Sequence, residues 1–254
     1  MTYCLAIQLK DHLVFASDSR TSAGVDNVTV YSKMHPFPLG DDRLFVILSA
    51  GNLATTQAVM SRIQRDLDNP HADESLRTAD YLFDAAHYVG RISREVQAEH
   101  SDAFAKTQSA AEASFILGGQ VRGRQPNIYL IYPQGNCIAA SPKAPFLQIG
   151  ETKYGKPILD RVITADTSLG DAVRCALMSI SSTMRSNISV GPPVEIAVYP
   201  RDGFAIEHHM ILDYDSHLLL DMEESWSQGL RTALSELPRF DWEAESVPRA
   251  LHSQ

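Results

Sequence analysis

The sequence predicts an α+β protein in which helices cover two antiparallel β-sheets that pack against each other. Apolar runs of strand length occur in pairs joined by turn signals, and helical stripes of apolar residues separate these pairs. Several of the strands are apolar on both faces, which fits sheets that face each other on one side and carry helices on the other. The predicted architecture is therefore a four-layer α/β/β/α sandwich.

The predicted elements follow one another in a regular order. Strands are expected at 3–9, 13–19, 43–51, 113–120, 127–133 and 137–141, with a last hairpin inside 194–212. Helices are expected at about 52–67, 78–98 and 168–185. Thr78 is the expected N-cap of the second helix. The turn signals are Lys10-Asp11-His12, Gln134-Gly135-Asn136 and Asp202-Gly203.

The composition changes near residue 221, where the chain becomes polar and ends in Pro and Ser. We therefore expect a main domain at 2–220 and a C-terminal helical extension and tail at 221–254. One more helix is expected there, with Leu230, Leu234 and Leu237 facing a core. Aromatic residues in a polar tail are expensive to leave in water, so we expect 221–254 to reach an adjacent subunit, with folding back onto its own domain as the alternative.

Charge and cysteine content exclude several classes of protein. The 254 residues carry a formal net charge of −9, which argues against nucleic acid or a membrane surface as partner. The three cysteines lie far apart in the sequence and form no CxxC motif. This pattern is typical of reduced cysteines in cytoplasmic proteins. The opening residues lack the basic region and the long apolar region of a signal peptide. The sequence also has no membrane-length apolar run and no GxxxxGK[ST] or GxGxxG motif. We expect a cytoplasmic protein without a nucleotide cofactor.

Thr2 lies directly before the first apolar strand, where an N-terminus would be anchored. A small second residue favours removal of Met1, so we expect Thr2 to become N-terminal, with no longer propeptide. An α-amine has a reference pKa of about 7.7–8.0, so a substantial neutral fraction exists near pH 7. That amine can act as general base for the adjacent hydroxyl. Thr2 is therefore the candidate nucleophile.

Four further residues fit a site built around Thr2. Asp18 and Arg20 are expected at the end of the second strand, which the hairpin returns towards Thr2. Lys33 is expected on a surface loop, where its charge would favour the unprotonated amine and the developing alkoxide. Gly51 follows a strand and precedes a helix, so its N–H is a candidate oxyanion donor.

The stretch TYCLAIQLKDHLVFASDSRTSAGV, followed by Lys33 and by SAGN at 49–52, resembles the N-terminal half of proteasome β-type subunits. These are N-terminal nucleophile hydrolases with an α/β/β/α sandwich, and the order of elements agrees over about 2–212. The stretches SDSRTSAGVD at 17–26, GETKYGKPILDR at 150–161 and SVGPP at 189–193 are similar to the bacterial ancestral β-subunit branch, Anbu.

The resemblance implies a set of site residues. Thr2 would be the nucleophile, Asp18 and Lys33 its support, and the Gly51 amide the oxyanion donor. It also implies an auxiliary hydroxyl and three substrate contacts, which here are Ser189, Ser22, Ser49 and Leu53.

The sequence departs from the proteasome pattern at three places. Lys33 is one residue closer to the threonine, the usual Gly-Ser-Gly is Gly150-Glu151-Thr152, and the usual Asp-x-x-Ser is Ser186-Asn187-Ile188-Ser189. A changed Ser and a missing Asp alter the hydrogen bonds and charge expected near the amine. Slower proton transfer or a different substrate would follow.

Three functions remain open from the sequence. The first is a threonine-type peptidase enclosed in a homo-oligomer, a ring or an open spiral, with a dodecamer as one candidate. The second is a small-molecule amidase or acyl-transferase, and the third is a scaffold with a vestigial Thr2. Neighbouring His208 and His209 point to opposite faces of a strand, so no metal site is expected. The sequence leaves open an unfoldase ATPase partner.

Overall fold

The computed structural model describes residues 1–22, 28–107 and 111–246. The chain divides into two compact units, Met1–Ser216 and His217–Gln254. The strands of the first unit are β1 Tyr3–Gln8, β2 His12–Asp18, β3 Arg20–Ser22, β4 Val28–Val30, β5 Met34–Pro38, β6 Arg43–Gly51, β7 Ala113–Val121, β8 Asn127–Ile131, β9 Cys137–Ala139, β10 Phe146–Gly150, β11 Val194–Pro200 and β12 His208–Leu212. Its helices are α1 Leu53–Asp68, α2 Leu82–Thr107, α3 Thr152–Val162 and α4 Leu169–Ser186.

Two antiparallel five-stranded sheets form the centre of the first unit. The first sheet has the order β10-β1-β2-β11-β12, and the second has the order β5-β6-β7-β8-β9. Helices α1 and α2 contact strands of the second sheet, and α3 and α4 contact strands of the first. This confirms the predicted four-layer α/β/β/α sandwich.

The core lies in the layer between the two sheets and beneath the helices. Alternate residues of β1 and β2, such as Cys4, Ala6, Leu13 and Phe15, meet side chains of the second sheet between the sheets. A second cluster packs α1 and α2 onto the outer face of the second sheet. Full burial of such aliphatic and aromatic side chains contributes about 1.5–3 kcal/mol each. The central strands are therefore rigid supports for residues at their ends.

Five elements of the first unit were not predicted, namely β3, β4, β5, β10 and α3. Strands β3 and β4 have three residues each, too few for a recognisable alternation. Helix α3 contains Gly155 and Pro157, which act as helix-breaking signals in a sequence. Arg20 begins β3 and does not end β2, because Ser19 separates the two strands.

The start of α2 also differs from the prediction. Thr78 is not the N-cap, since its Oγ1 accepts from the Ser75 backbone N–H at 2.9 Å and closes a turn before the helix. The helix begins at Leu82, where Asp84 Oδ2 accepts from the Tyr81 N–H at 3.1 Å. Side-chain hydrogen bonds to the backbone therefore move the helix start by one turn.

The second unit contains α5 His217–Ser235 and a 3₁₀ helix at Asp241–Ser246. The expectation that Leu230, Leu234 and Leu237 face a core is wrong, because these side chains are 53%, 70% and 59% exposed. Phe240 and Trp242 are also exposed and stack on each other with ring centroids 5.2 Å apart. The domain boundary after residue 220 stays a prediction.

The described residues contain neither a membrane-spanning helix nor a cluster of metal-ligating side chains. None of the helices in the described ranges is long and apolar enough to cross a membrane. Within the same ranges, no three or more His, Cys, Asp or Glu side chains are grouped so that they could hold a metal ion.

Candidate active site

Thr2 lies immediately before β1 and is held there by the end of β10. Its carbonyl oxygen accepts a hydrogen bond from the Glu151 N–H at 2.8 Å, and Thr2 is 9% exposed. Gly150 has a φ of +84°, and a Cβ at that position would lie 1.9 Å from the Thr2 carbonyl oxygen. Only glycine fits this approach. The predicted anchoring of the N-terminus therefore has a structural basis in Gly150-Glu151.

Lys33 and Asp18 form a buried ion pair beside Thr2. Lys33 Nζ lies 2.7 Å from Asp18 Oδ1 and also donates to the carbonyl oxygen of Arg20 at 2.7 Å. Lys33 is only 6% exposed, so its expected position on a surface loop is wrong. The segment between β4 and β5 turns Lys33 inward because two acceptors there satisfy its ammonium.

Asp18 is fully buried, and its carboxylate accepts hydrogen bonds from three groups. Besides Lys33, the backbone N–H of Tyr3 donates to Oδ1 at 3.0 Å and that of Gly191 donates to Oδ2 at 3.1 Å. Burial raises the pKa of the Asp18 carboxyl, while the Lys33 ammonium and the two amides act in the opposite direction. Asp18 thus joins the start of β1, the Lys33 segment and the loop after α4 at one point.

A pocket of about 730 Å³ opens beside Thr2. It brings together five of the predicted site residues, namely Thr2, Lys33, Ser49, Gly51 and Leu53. Most of the other side chains on its walls are hydroxyls, amides or small apolar groups. Asp18 is not on the wall but supports Lys33 from behind.

Gly51 ends β6 just before the N-terminus of α1, as its place in the sequence predicts. Its φ is +118°, and a Cβ there would lie 2.3 Å from the carbonyl oxygen of Glu112. Asn52 follows as the N-cap of α1, its side chain accepting from the Thr55 N–H at 3.2 Å. The glycine therefore permits a sharp exit from the sheet, with its backbone on the pocket wall.

Two further predicted site residues, Ser189 and Ser22, have no described contact with Thr2. Ser189 donates from Oγ to Asn187 Oδ1 at 2.6 Å, and among the described residues neither it nor Thr2 has a hydrogen bond to the other. Ser22 ends β3, but its side chain lies outside the part of the chain that the structure describes. The roles predicted for both residues stay predictions.

Sequence reasoning missed His35, which lies on the pocket wall. His35 Nε2 is 3.4 Å from Ser49 Oγ, and burial lowers the pKa of this imidazole while Glu195 acts to raise it. A lone histidine in the short strand β5 carries no motif, so no local signal marks it. Cys4 packs in the core between the sheets as expected, and burial raises the pKa of its thiol.

The proteasome subunit family matches residues 2–199 of the chain. Solved structures extend this likeness. Anbu (ancestral beta-subunit) from Yersinia bercovieri is 41% identical with a TM-score of 0.87, covering 94% of this chain and 99% of that one. An Anbu (Gly-1) mutant from Hyphomicrobium sp. strain MC1 is 43% identical with a TM-score of 0.88, covering 95% and 100% of the two chains.

A third structure, titled as the helical assembly of the Anbu complex from Pseudomonas aeruginosa, is 44% identical with a TM-score of 0.88. It covers 94% of this chain and 98% of its own. Curated protein sequences gave no significant match. The chain belongs to the proteasome subunit family, and its likeness to the Anbu branch, expected from three short stretches, is confirmed.

Proposed function

We propose that this chain is a threonine-type amide hydrolase in which removal of Met1 exposes Thr2 as nucleophile and base. The observation that supports this most is the shared pocket of Thr2, Lys33 and Gly51, with the Lys33 ammonium held 2.7 Å from a buried carboxylate. Peptide bonds are the proposed substrates, and the protein would act as a homo-oligomer.

The proposed reaction begins with proton transfer from the Thr2 hydroxyl to its own neutral α-amine. Thr2 Oγ1 then forms a bond to the substrate carbonyl carbon, and the carbonyl oxygen becomes an oxyanion. The N–H of Gly51 would donate to that oxyanion. As the C–N bond breaks, the leaving amine takes the proton from the ammonium and an ester remains on Thr2. Water, deprotonated by the amine, hydrolyses the ester and restores the hydroxyl.

Lys33 would stabilise the charges that develop on Thr2 during this reaction. Its ammonium disfavours protonation of the nearby amine and favours the developing alkoxide. The Asp18 carboxylate and the carbonyl oxygen of Arg20 fix the ammonium in place, so no reorganisation is needed during the reaction. Thr2 Oγ1 has no hydrogen-bond partner within the described residues, which leaves its lone pairs available to a substrate.

The chemistry of the pocket wall supports a preference among substrates. Among the described residues that line it there is no Asp or Glu, and the titratable side chains are those of Lys33, His35 and Tyr31. A basic substrate group would lose its hydration there without gaining a counter-charge. Neutral polar or acidic acyl groups are therefore the proposed substrates. The hydroxyl and amide side chains on this wall, such as Ser49, Thr56 and Gln57, are the observation that favours a second candidate, an amidase for small polar amides.

The homo-oligomer is proposed from the relatives and from the second unit. One similar structure is titled as a helical assembly of Anbu. In this chain, Leu234, Phe240 and Trp242 are each at least 63% exposed. Contact with an adjacent subunit would remove this apolar surface from water.

Light scattering on the full chain and on a chain ending at residue 237 tests the proposed assembly. A full-length monomer at micromolar concentration would refute assembly, and an unchanged large oligomer after truncation would refute the role of the tail.

Competition between two substrate series tests the activity. Peptides and small acyl amides, each with acidic, neutral or basic groups, would be offered to the wild type and to the Thr2→Ala and Thr2→Ser variants. We expect Thr2→Ala to lose all turnover and Thr2→Ser to retain part of it. Preference for peptides supports the peptidase, and preference for acyl amides supports the amidase. Turnover that persists in Thr2→Ala would refute both.

A further inference from the structure

Glu195 is a buried carboxylate that the proposed reaction does not use. It lies on β11, is 6% exposed, and points to the same sheet face as Ala197, which packs between the two sheets. A buried carboxylate is costly unless it is paired and hydrogen-bonded. Its partners therefore indicate why it is tolerated there.

The carboxylate of Glu195 connects two residues from different parts of the fold. Its Oε2 accepts from Ser32 Oγ at 2.7 Å, and its Oε1 lies 2.8 Å from His209 Nε2. His209 is a diagonal neighbour on the adjacent strand β12, since Ile211 pairs with Glu195 and His209 with Ala197. Ser32 belongs to the segment that carries Lys33, so Glu195 links the first sheet to that segment.

Ser32 in turn fixes the backbone around Lys33. The Met34 N–H donates to Ser32 Oγ at 3.2 Å, which closes a small turn with Lys33 at its centre. The Lys33 carbonyl oxygen also accepts from the Ser49 N–H at 2.9 Å. Ser32 Oγ lies 2.7 Å from Glu195 Oε2 and 3.0 Å from the Met34 carbonyl oxygen. The carboxylate is the nearer and stronger acceptor of the two, so the Ser32 hydroxyl donates to Glu195 while its oxygen accepts from the Met34 N–H.

We propose that Glu195 is a positioning residue that acts through Ser32 to hold Lys33 at the reacting atoms. The inference rests on the proposed function in one respect only, the role of Lys33 in activating Thr2. Glu195 itself does not line the pocket and would not contact the substrate. Its loss should therefore slow acylation of Thr2 without weakening substrate binding.

The kinetic test uses an electrophilic β-lactone and mass spectrometry of the Thr2 adduct. For Glu195→Ala and Ser32→Ala we expect the limiting acylation rate to fall by about tenfold or more. Because Ser32 itself lines the pocket, substrate binding is judged on Glu195→Ala, whose half-saturating lactone concentration should change by less than about twofold. The double variant should be no slower than the slower single variant, because both act through one contact. Glu195→Gln keeps an acceptor for Ser32 and should recover most of the rate.

Glu207→Ala is the matched control. Glu207 is a carboxylate on the same β11–β12 hairpin, but it is 47% exposed and lies no closer than 4.0 Å to its histidine neighbours. Its removal should leave the acylation rate unchanged. A wild-type rate in Glu195→Ala would overturn the proposal, as would an equal loss in Glu207→Ala.

Hydrogen exchange at the Met34 amide separates this proposal from the proposed function. We expect Glu195→Ala and Ser32→Ala to lose protection at Met34, while Glu207→Ala keeps it. If the wild type forms no adduct, the proposed function fails, and protection at Met34 alone decides whether Glu195 fixes the segment. Unchanged protection would overturn the proposal. Should Glu195→Ala fail to fold, the acylation rate and the protection of the Met34 amide are measured on Ser32→Ala, which should lose both, and on Glu195→Gln, which should retain most of both.

Discussion

Two Lys–Asp pairs in this protein have nearly the same length and very different surroundings. Lys33 and Asp18 are 2.7 Å apart with side chains 7% and 0% exposed, whereas Lys156 and Asp160 on α3 are 2.6 Å apart and 53% and 47% exposed. The buried pair has further partners in the Arg20 carbonyl and the Tyr3 and Gly191 amides. The distance between the charges therefore does not predict how much an ion pair contributes to stability. Burial and the number of further hydrogen-bond partners are the better guides.

Substituting the lysine of each pair gives the largest expected contrast. Lys33→Ala leaves the Asp18 charge buried without its counter-ion, so we expect a loss of about 3–5 kcal/mol in the free energy of unfolding. Lys156→Ala should cost at most about 0.5 kcal/mol. Urea denaturation measures both. Equal losses would show that burial does not distinguish the two pairs.

The same contrast extends to covalent labelling of Thr2. We expect Lys33→Ala to abolish the lactone adduct and Lys156→Ala to form it at the wild-type rate, because only Lys33 lines the pocket with Thr2. Labelling is compared under conditions where denaturation curves show both variants folded. An undiminished rate in Lys33→Ala would make Arg20 the next candidate for the cation.

Two glycines provide a second contrast between the site and the surface. Gly51→Ala introduces a Cβ 2.3 Å from the Glu112 carbonyl oxygen at a φ of +118°. We expect it to cost about 3 kcal/mol and to slow acylation. Gly229 lies inside α5 with nothing within 4 Å of an added Cβ. Gly229→Ala should stabilise α5 by about 0.5–1 kcal/mol. A tolerated Gly51→Ala with full acylation would remove the backbone of Gly51 from the mechanism.

Tyr3 and Tyr214 give a third contrast, which depends on pH. Burial raises the pKa of Tyr3 from 10.0 to about 12, and its hydroxyl lies 2.7 Å from Ser179 Oγ. A pKa raised by folding means that the native state binds this proton more tightly. The resulting stability is complete below pH 10 and is lost as the pH rises towards 12. Tyr214 is 80% exposed.

We therefore expect the wild type to lose about 2 kcal/mol relative to Tyr3→Phe between pH 10 and 12. Tyr214→Phe, which removes an exposed hydroxyl, is the control variant over the same range. Denaturation at a series of alkaline pH values provides the measurement. A constant difference between the wild type and Tyr3→Phe would mean that the Tyr3 hydroxyl ionises as readily in the folded chain as in the unfolded one.

The sequence could predict the parts of this fold that depend on local pattern. Strand β6 was expected at its observed bounds, because a long apolar run ends in the glycine that turns into α1. Helix α3 was missed because Gly155 and Pro157 resemble breakers, although both are accommodated inside the helix. The four-layer arrangement follows from the order of elements and does not require every one of them.

The site was less accessible to sequence reasoning, for a physical reason. Thr2, Lys33 and Gly51 were proposed from residue type and resemblance, and they do line one pocket. The burial of Lys33 was missed because its partners come from distant positions, and the Gly191 amide lies 173 residues from Asp18. Backbone amides carry no sequence signature. Contacts of this kind become visible only when the strands are assembled.

The most direct test of the central claim is the intact mass of the purified protein before and after reaction with an electrophilic β-lactone. We expect a chain that lacks Met1 and gains one lactone adduct, which peptide mapping places on Thr2. The adduct should be absent in Thr2→Ala and in Lys33→Ala. Retention of Met1 in most molecules, or an adduct on Cys137 in place of Thr2, would refute the role of Thr2 as an N-terminal nucleophile.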